Sequence, residues 1–478
     1  MPYFQITGGV PLHGEVRCSG AKNAALPIMA AAILASEPVR LEDVPHLADV
    51  RTLAQVLRHL GMQVVGQAVP DILSTCQAQP DLRAGNLADK NVCPTIILET
   101  VDHRPIRARE EWVRRMRASF CVLGPLLARR GRAVVPLPGG CNIGNRPVDL
   151  HLKGLAALGA SLRLEHGYVV ATARRLTGTT IDLSGPNGPT VTGTANVMSA
   201  AVLARGVTIL RGVAIEPEIV DLGNFLIALG ARIEGLGTST IRIEGVDQLG
   251  GTTHRLIPDR IEAATLLMAV AITGGSATVA GVAPEHLGNV LAMLRAAGTE
   301  IDVDADRVSI NAAGRLRAVD IVAQPYPGFP TDLQAQWTAL MSTADGISTI
   351  QDLVFPNRFL HVAELNRLGA KIACENGSAT VTGVARLSGA RVTACDLRAS
   401  AALVLAGLAA EGRTMVDHIH HLDRGYERLD HKLRQLGAKI ERKTDQPSNS
   451  ATPSPAAVSL SGPSRLASGH PVRIASSR

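Results

Sequence analysis

Leu226-Ile227-Ala228-Leu229-Gly230-Ala231-Arg232-Ile233 is one of six copies of the same phrase in this 478-residue chain. The phrase is a leucine, two residues, an apolar residue, a glycine, a small residue and a short apolar strand. It recurs at 57–64, 155–162, 294–301, 365–372 and 433–440, and its glycines are Gly61, Gly159, Gly230, Gly298, Gly369 and Gly437, spaced by 98, 71, 68, 71 and 68 residues. A fixed period marks one structural unit copied several times. A period near 70 is too long for a solenoid repeat and fits a small α/β subdomain. The glycine closing each amphipathic stretch suits a helix C-terminal cap, because it enters the left-handed region without a Cβ clash.

Ahead of each copy lies a very apolar segment, at 24–35, 118–128, 195–204, 262–272, 333–341 and 399–410. Such segments, apolar nearly all round, predict buried helices, whereas the more polar helix ending at each glycine belongs outside. Strands are predicted between them, for example at 207–211 and 277–280. The first interval between glycines exceeds the second by 27 residues, which places an insertion at about 66–92. Loops tolerate such insertions at small entropic cost, so it reads as a surface excursion. From 446 to 478 the composition turns to Ser, Pro, Ala and Gly, and this segment reads as a disordered tail.

Hydrophobic residues make up 46% of the chain and aromatics only 3%, so the core must be built from Ala, Val, Leu and Ile. Half of the formal charge of +6 comes from Arg465, Arg473 and Arg478 in the tail. The body is therefore mildly basic and lacks a basic stripe with interleaved aromatics, which argues against a nucleic-acid binder. The seven cysteines are scattered, without a CxxC pair for zinc or redox work. The first residues do not read as a signal peptide, and the apolar run at 24–35 is too short for a membrane span. A reduced, cytoplasmic protein without a membrane segment is expected.

Two sets of residues carry chemistry. The stretch 136–151 (PLPGGCNIGNRPVDLH) puts Cys141 in a Pro/Gly loop near Arg146, a setting in which a thiol can be reactive or incidental. The starts of the apolar helices carry Ser19-Gly20-Ala21-Lys22-Asn23, Arg117-Ala118-Ser119, Thr190-Val191-Thr192-Gly193-Thr194, Asp259-Arg260-Ile261-Glu262, Thr331-Asp332 and Asp396-Leu397-Arg398. Helix starts attract anions. Ordinary capping explains Ser19, Thr194 and Thr331. It does not explain Lys22, Arg117 and Arg398, since the helix dipole disfavours a cation there. If the buried helices fall into two groups of three, their starts can line one anion-seeking cleft, with Arg358 and Arg424 as further candidates.

At these residues the chain resembles the UDP-N-acetylglucosamine enolpyruvyl transferase family. The similarity is carried by 19–32 (SGAKNAALPIMAAA), 116–119, 123–151, 257–262 (IPDRIE), 328–336 (GFPTDLQAQ), 357–361, 396–412 and 421–437. It extends over roughly 3–442 apart from the insertion. The resemblance implies a two-domain inside-out α/β barrel: six βαβ-like units, three per domain, with buried helices and an active site in the interdomain cleft. The domains would be 22–257, including the insertion and a catalytic loop at 136–147, and 1–21 with 258–445.

It also implies an enzyme of peptidoglycan synthesis that needs no metal and no organic cofactor. The enolpyruvyl group of phosphoenolpyruvate passes to the 3-hydroxyl of UDP-N-acetylglucosamine, by addition and then elimination of phosphate. Such chemistry requires an acid, a base and cations for a phosphate and a carboxylate. Cys141 matches the general acid and fosfomycin target, Asp332 the candidate base, and Asp396 a further catalytic acid. Lys22, Arg146 and Arg424 match phosphate contacts, and Arg358 and Arg398 further cations. Asn23, Arg117, Pro147, Asp149, His151 and Val191 match positions that meet the acceptor or its uridine. The chain has Thr190-Val191-Thr192-Gly193-Thr194 where the family usually has Ser-Val-Gly-Ala-Thr. That departure keeps a second acceptor open, a simpler uridine nucleotide such as UMP.

Overall fold

The computed structural model of the protein describes residues 2–66, 94–139, 148–186 and 188–444. The expected insertion, apart from Gly66, and the expected tail lie outside these residues. Among them the third repeat shows the common plan. A buried helix Val191–Ala201 leads to strand Val207–Arg211, then to an outer helix Pro217–Ala228, then to a hairpin of Arg232–Glu234 and Thr240–Glu244. The outer helix ends where Gly230 turns to φ +108°. Its N–H bonds to the Ile227 carbonyl at 2.8 Å, and the Ala231 N–H reaches back to Leu226 at 3.0 Å. These two bonds satisfy carbonyls that the helix end would otherwise leave open. The other five repeat glycines also have φ between +85° and +104°.

Each unit contributes one small sheet, and the sheets are interlocked. Strand Val207–Arg211 pairs in parallel with Thr180–Asp182, which comes from the end of the preceding unit. The same exchange runs round the first half: Thr252–Arg255, after the third unit, lies parallel to Val39–Glu42 of the first. Arg107 makes the corresponding single bridge to Val134 of the second. In the second half His13–Arg17 pairs with Ser276–Ala280, Ile321–Ala323 with Ile347–Asp352, and Arg391–Thr393 with Arg413–Asp417. The strand leaving each third unit thus returns to the first, and each set of three closes into a ring. In the sixth sheet Pro2–Thr7 takes the middle position, antiparallel to both Arg413–Asp417 and Lys439–Thr444.

The six apolar segments are helical and line the insides of these rings. Two separate cores result, one from residues 21–256 and the other from 4–18 and 261–440. One helix departs from expectation. The segment predicted at 118–128 is a 3₁₀ turn, Arg117–Val122, followed by an α-helix, Leu123–Arg130. Pro125 has no N–H to offer the Cys121 carbonyl and sits in the first turn of the α-helix, where a proline is tolerated.

The chain crosses between the cores twice, at 18–21 and 256–259, and the two crossings run antiparallel. Ala21 N–H donates to Ile257 at 2.8 Å and Asp259 N–H to Ser19 at 2.9 Å. A Cβ on Gly20 would come within 1.9 Å of the Asp43 carbonyl oxygen, so only glycine passes there. At Gly230, by contrast, a Cβ meets nothing within 4 Å and only the backbone objects. Gly230→Ala should therefore destabilise the protein by about 1–2 kcal/mol, the cost of a left-handed alanine. Gly20→Ala should cost more, because the crossing itself must shift. Urea unfolding of the two variants measures both effects.

Candidate active site

Lys22 opens the first buried helix, Lys22–Ala31, immediately after the crossing. Its backbone N–H is one of the donors a helix start leaves unpaired, and it donates to Asp259 Oδ2 at 3.1 Å. Asp259 Oδ1 accepts from Ile261 N–H at 2.9 Å and Glu262 N–H at 3.0 Å, capping the helix Arg260–Ile272. One carboxylate therefore serves the starts of two buried helices, one from each half. Lys22 Nζ lies 3.5 Å from Asp49 Oδ2, and Arg424 Nε donates to Asp49 Oδ1 at 2.9 Å. Burial lowers the Lys22 pKa; Asp49 and Asp332 oppose that effect, and Arg398 and Arg424 add to it.

Asp49 is absent from the candidates read in the sequence. It sits in the first turn of an outer helix, Ala48–His59, where an acid reads as an ordinary partner of the helix dipole. Only the tertiary structure shows that it is 4% exposed and gripped by a lysine of its own half and an arginine of the other.

Asp332 is held more tightly still. Arg358 Nη1 donates to its Oδ1 and Arg398 Nη2 to its Oδ2, both at 2.8 Å. Burial favours the neutral carboxyl, but the charges and hydrogen bonds of Arg398 and Arg358 win and hold Asp332 well below the usual carboxylate range. Arg398 is 2% exposed and lies over the Tyr426 ring at 5.2 Å; its Nε and Nη1 make no hydrogen bond among the described residues. Asp396 caps the helix bearing Arg398, accepting from Arg398 N–H at 2.7 Å and Ala399 N–H at 3.0 Å. Beside them burial pushes His361 down to about 4, with Asp396 opposing and Arg358 reinforcing.

Among the described residues Lys22, Arg358, Arg398 and Arg424 thus pair with Asp49 and Asp332, four cations against two carboxylates. The excess suits a small, multiply charged anion.

The other candidates belong to the first half. Asn23 follows Lys22 on its helix, and Pro27, with no N–H, leaves the Asn23 carbonyl without its helical partner. Arg117 begins the 3₁₀ turn, Val191 begins the helix Val191–Ala201, and Asp149 begins the helix Asp149–Ala157 on an exposed face. His151, two residues further and so on the opposite face, is buried at 2% exposure. Asn196 accepts from Gly124 N–H at 2.5 Å, which fixes its amide; its Nδ2 donates to Phe120 and lies 3.0 Å from His151 Nδ1. That leaves the His151 Nε2–H to donate to Thr192 Oγ1 at 3.2 Å. The threonine that departs from the family pattern is therefore bonded to a residue matched to the uridine side. Cys141, Arg146 and Pro147 lie outside the described residues.

Comparison with known proteins identifies the family and the fold. Residues 6–71 and 68–433 match the family described as EPSP synthase (3-phosphoshikimate 1-carboxyvinyltransferase). The structure superposes on the enolpyruvyl transferase NikO from Streptomyces tendae with a TM-score of 0.80 and 28% identity, covering 93% of this chain and 99% of that one. It shares the fold of an EPSP synthase from Acinetobacter baumannii, at a TM-score of 0.68 and 17% identity over 93% of this chain and 100% of that one. The fold is that of the enolpyruvyl transferase class.

Within that class, two proteins named UDP-N-acetylglucosamine 1-carboxyvinyltransferase are about equally similar over their full lengths. That of Myxococcus xanthus is 51% identical over 443 residues, and that of Anaeromyxobacter sp. (strain Fw109-5) 52% over 445, each covering 93% of this chain. The chain belongs to the UDP-N-acetylglucosamine 1-carboxyvinyltransferase family.

The grip on Asp332 has a consequence for stability. Its folded pKa is depressed, so its contribution is present at and above the ordinary carboxylate pKa of about 4 and is lost as pH falls towards the folded value. Asp332→Asn should be less stable than wild type at pH 7 and should lose less stability on acidification. Melting temperatures between pH 7 and pH 3 check this: the two curves should converge at the acid end.

Proposed function

We propose that the protein transfers the enolpyruvyl group of phosphoenolpyruvate to the 3-hydroxyl of UDP-N-acetylglucosamine and releases phosphate. The observation that carries this reading is the cluster of four cations around Asp49 and Asp332, on a chain half-identical to enzymes of that name along their whole length. The halves 22–257 and 1–21 with 258–445 act as the two domains that bring the groups together. The substrates are small molecules, and the setting is the cytoplasm; no helix among the described residues is long and apolar enough to cross a membrane.

The reaction sequence follows from the charges. The phosphate of phosphoenolpyruvate lies against Lys22 and Arg424, with Arg146, and its carboxylate against Arg358 and Arg398. Cys141 gives a proton to the methylene carbon, C3, while the acceptor oxygen bonds to C2. The acceptor's proton leaves to a base, and a tetrahedral ketal forms. Loss of a C3 proton and of phosphate from C2 then yields the enol ether. Asp332 is a poor base while both arginines hold it. A substrate carboxylate competes for those arginines, and as their hold weakens the Asp332 pKa rises towards a useful value. Bound phosphoenolpyruvate thereby activates the base that the acceptor hydroxyl needs. Asn23, Arg117, Pro147, Asp149, His151 and Val191 form the acceptor side, and Asp396 sets the start of the helix that carries Arg398.

The test is phosphate release from phosphoenolpyruvate with each acceptor. Turnover is expected with UDP-N-acetylglucosamine; turnover with UMP alone would overturn the reading. Asp332→Ala should reduce kcat by at least about 10²-fold, the usual scale for a lost acid–base group. Fosfomycin should inactivate the enzyme with a mass adduct on Cys141, and Cys141→Ala should escape the adduct and lose turnover.

A further inference from the structure

We infer that Asp259 is a positioning residue for Lys22, tying the location of the ammonium to the seam between the two halves. This rests on the placement of Lys22 at the phosphoenolpyruvate site. The geometry is unusual for a helix cap. A capping carboxylate ordinarily serves the helix it precedes, and Oδ1 of Asp259 does so at Ile261 and Glu262. Its other oxygen reaches 237 residues back in sequence to the N–H of Lys22. Ala21, which precedes that helix, gives it no side-chain cap. Asp259 is 5% exposed, so a lost bond there is not readily replaced by water.

The crossings around it are polar and cross-linked. Ser19 N–H donates to Glu262 Oε2 at 3.3 Å, and Ser19 Oγ donates to Glu427 Oε2 at 2.6 Å. Glu427 Oε1 accepts from His46 N–H of the first half at 3.0 Å, while Lys432 bridges Ser19 and Glu262. The start of the Lys22 helix is thus fastened to the second half, where Asp332, Arg358 and Arg398 reside.

Position and charge are separable at Lys22. The charged groups facing its ammonium are Asp49, Arg398, Asp332 and Arg424. Asp259 meets its backbone instead. Asp49 should govern how readily Lys22 keeps its proton, and Asp259 where the ammonium stands.

Asp259→Asn keeps the volume but offers one acceptor oxygen, so it can serve only one of the two helix starts. Asp259→Ser keeps a cap for Ile261 and Glu262 but is too short to reach Lys22. Both variants should raise KM for phosphoenolpyruvate about 5- to 20-fold, lower kcat, and leave KM for UDP-N-acetylglucosamine within about 2-fold. The alkaline limb of kcat/KM for phosphoenolpyruvate should stay where it is in wild type. In Asp49→Asn, which removes the partner that keeps Lys22 charged, that limb should move to lower pH.

Hydrogen exchange followed by mass spectrometry gives a readout independent of turnover: the peptide spanning Ser19 to Leu26 should exchange faster in both Asp259 variants. Unchanged exchange there, or equal losses for both substrates, would overturn the inference. Faster exchange in a protein inactive with UDP-N-acetylglucosamine even as wild type would uphold the tether and sink the functional reading instead.

Discussion

Where the chain passes from one core to the other, two helices begin within reach of one carboxylate. Each helix start carries N–H groups without intrahelical partners and a partial positive charge. Asp259 satisfies donors on both sides at once, and its burial makes the arrangement expensive to disturb. The antiparallel backbone bonds at 18–21 and 256–259 and the close passage of Gly20 against Asp43 hold the seam in register. Lys22 is the first side chain of one of those helices, so the placement of the cationic cluster depends on this seam. The cluster itself is assembled across it, with Lys22 and Asp49 from one half and Arg424, Asp332, Arg358 and Arg398 from the other.

The buried charges are stable as a group and unstable as individuals. A carboxylate or guanidinium taken from water loses several kcal/mol of solvation unless it is paired. Asp332 meets that cost with two arginines, and Asp49 with a lysine and an arginine. Among the described residues the pairing leaves two cations in excess, and Arg398 keeps two nitrogens without a hydrogen bond. Such an arrangement favours binding a small dianion or trianion, because the ligand relieves repulsion that the protein's own carboxylates do not cancel. It also holds Asp332, the carboxylate proposed as the base, in its charged form between two arginines.

The rings that carry this cluster follow from burial. A helix apolar all round has no face to show to water, so three of them need a wall on every side. The interlocked sheets and outer helices supply it, and the strand exchanged between neighbouring units prevents any unit from standing alone. The six left-handed glycines each end an outer helix and turn the chain into the strand that follows.

The sequence alone determined the repeat, the division into buried and outer helices, and the caps that end the outer helices, because these are local properties: periodicity, apolar composition and the backbone freedom of glycine. It also brought Lys22, Arg117 and Arg398 to notice, since cations at helix starts contradict the dipole and ask for another explanation, while Arg358 and Arg424 stood out among turn residues and Asp332 through the family resemblance. It did not reveal Asp49 or the second bond of Asp259. Both residues look like routine helix-start acids, and their partners lie 375 and 237 residues away along the chain. It also overlooked the change from a 3₁₀ turn to an α-helix at Val122–Leu123, just ahead of Pro125. Only the tertiary structure decided which helix starts meet, and with it which charges face one another. That meeting depends on how two closed rings abut, and no local pattern encodes it.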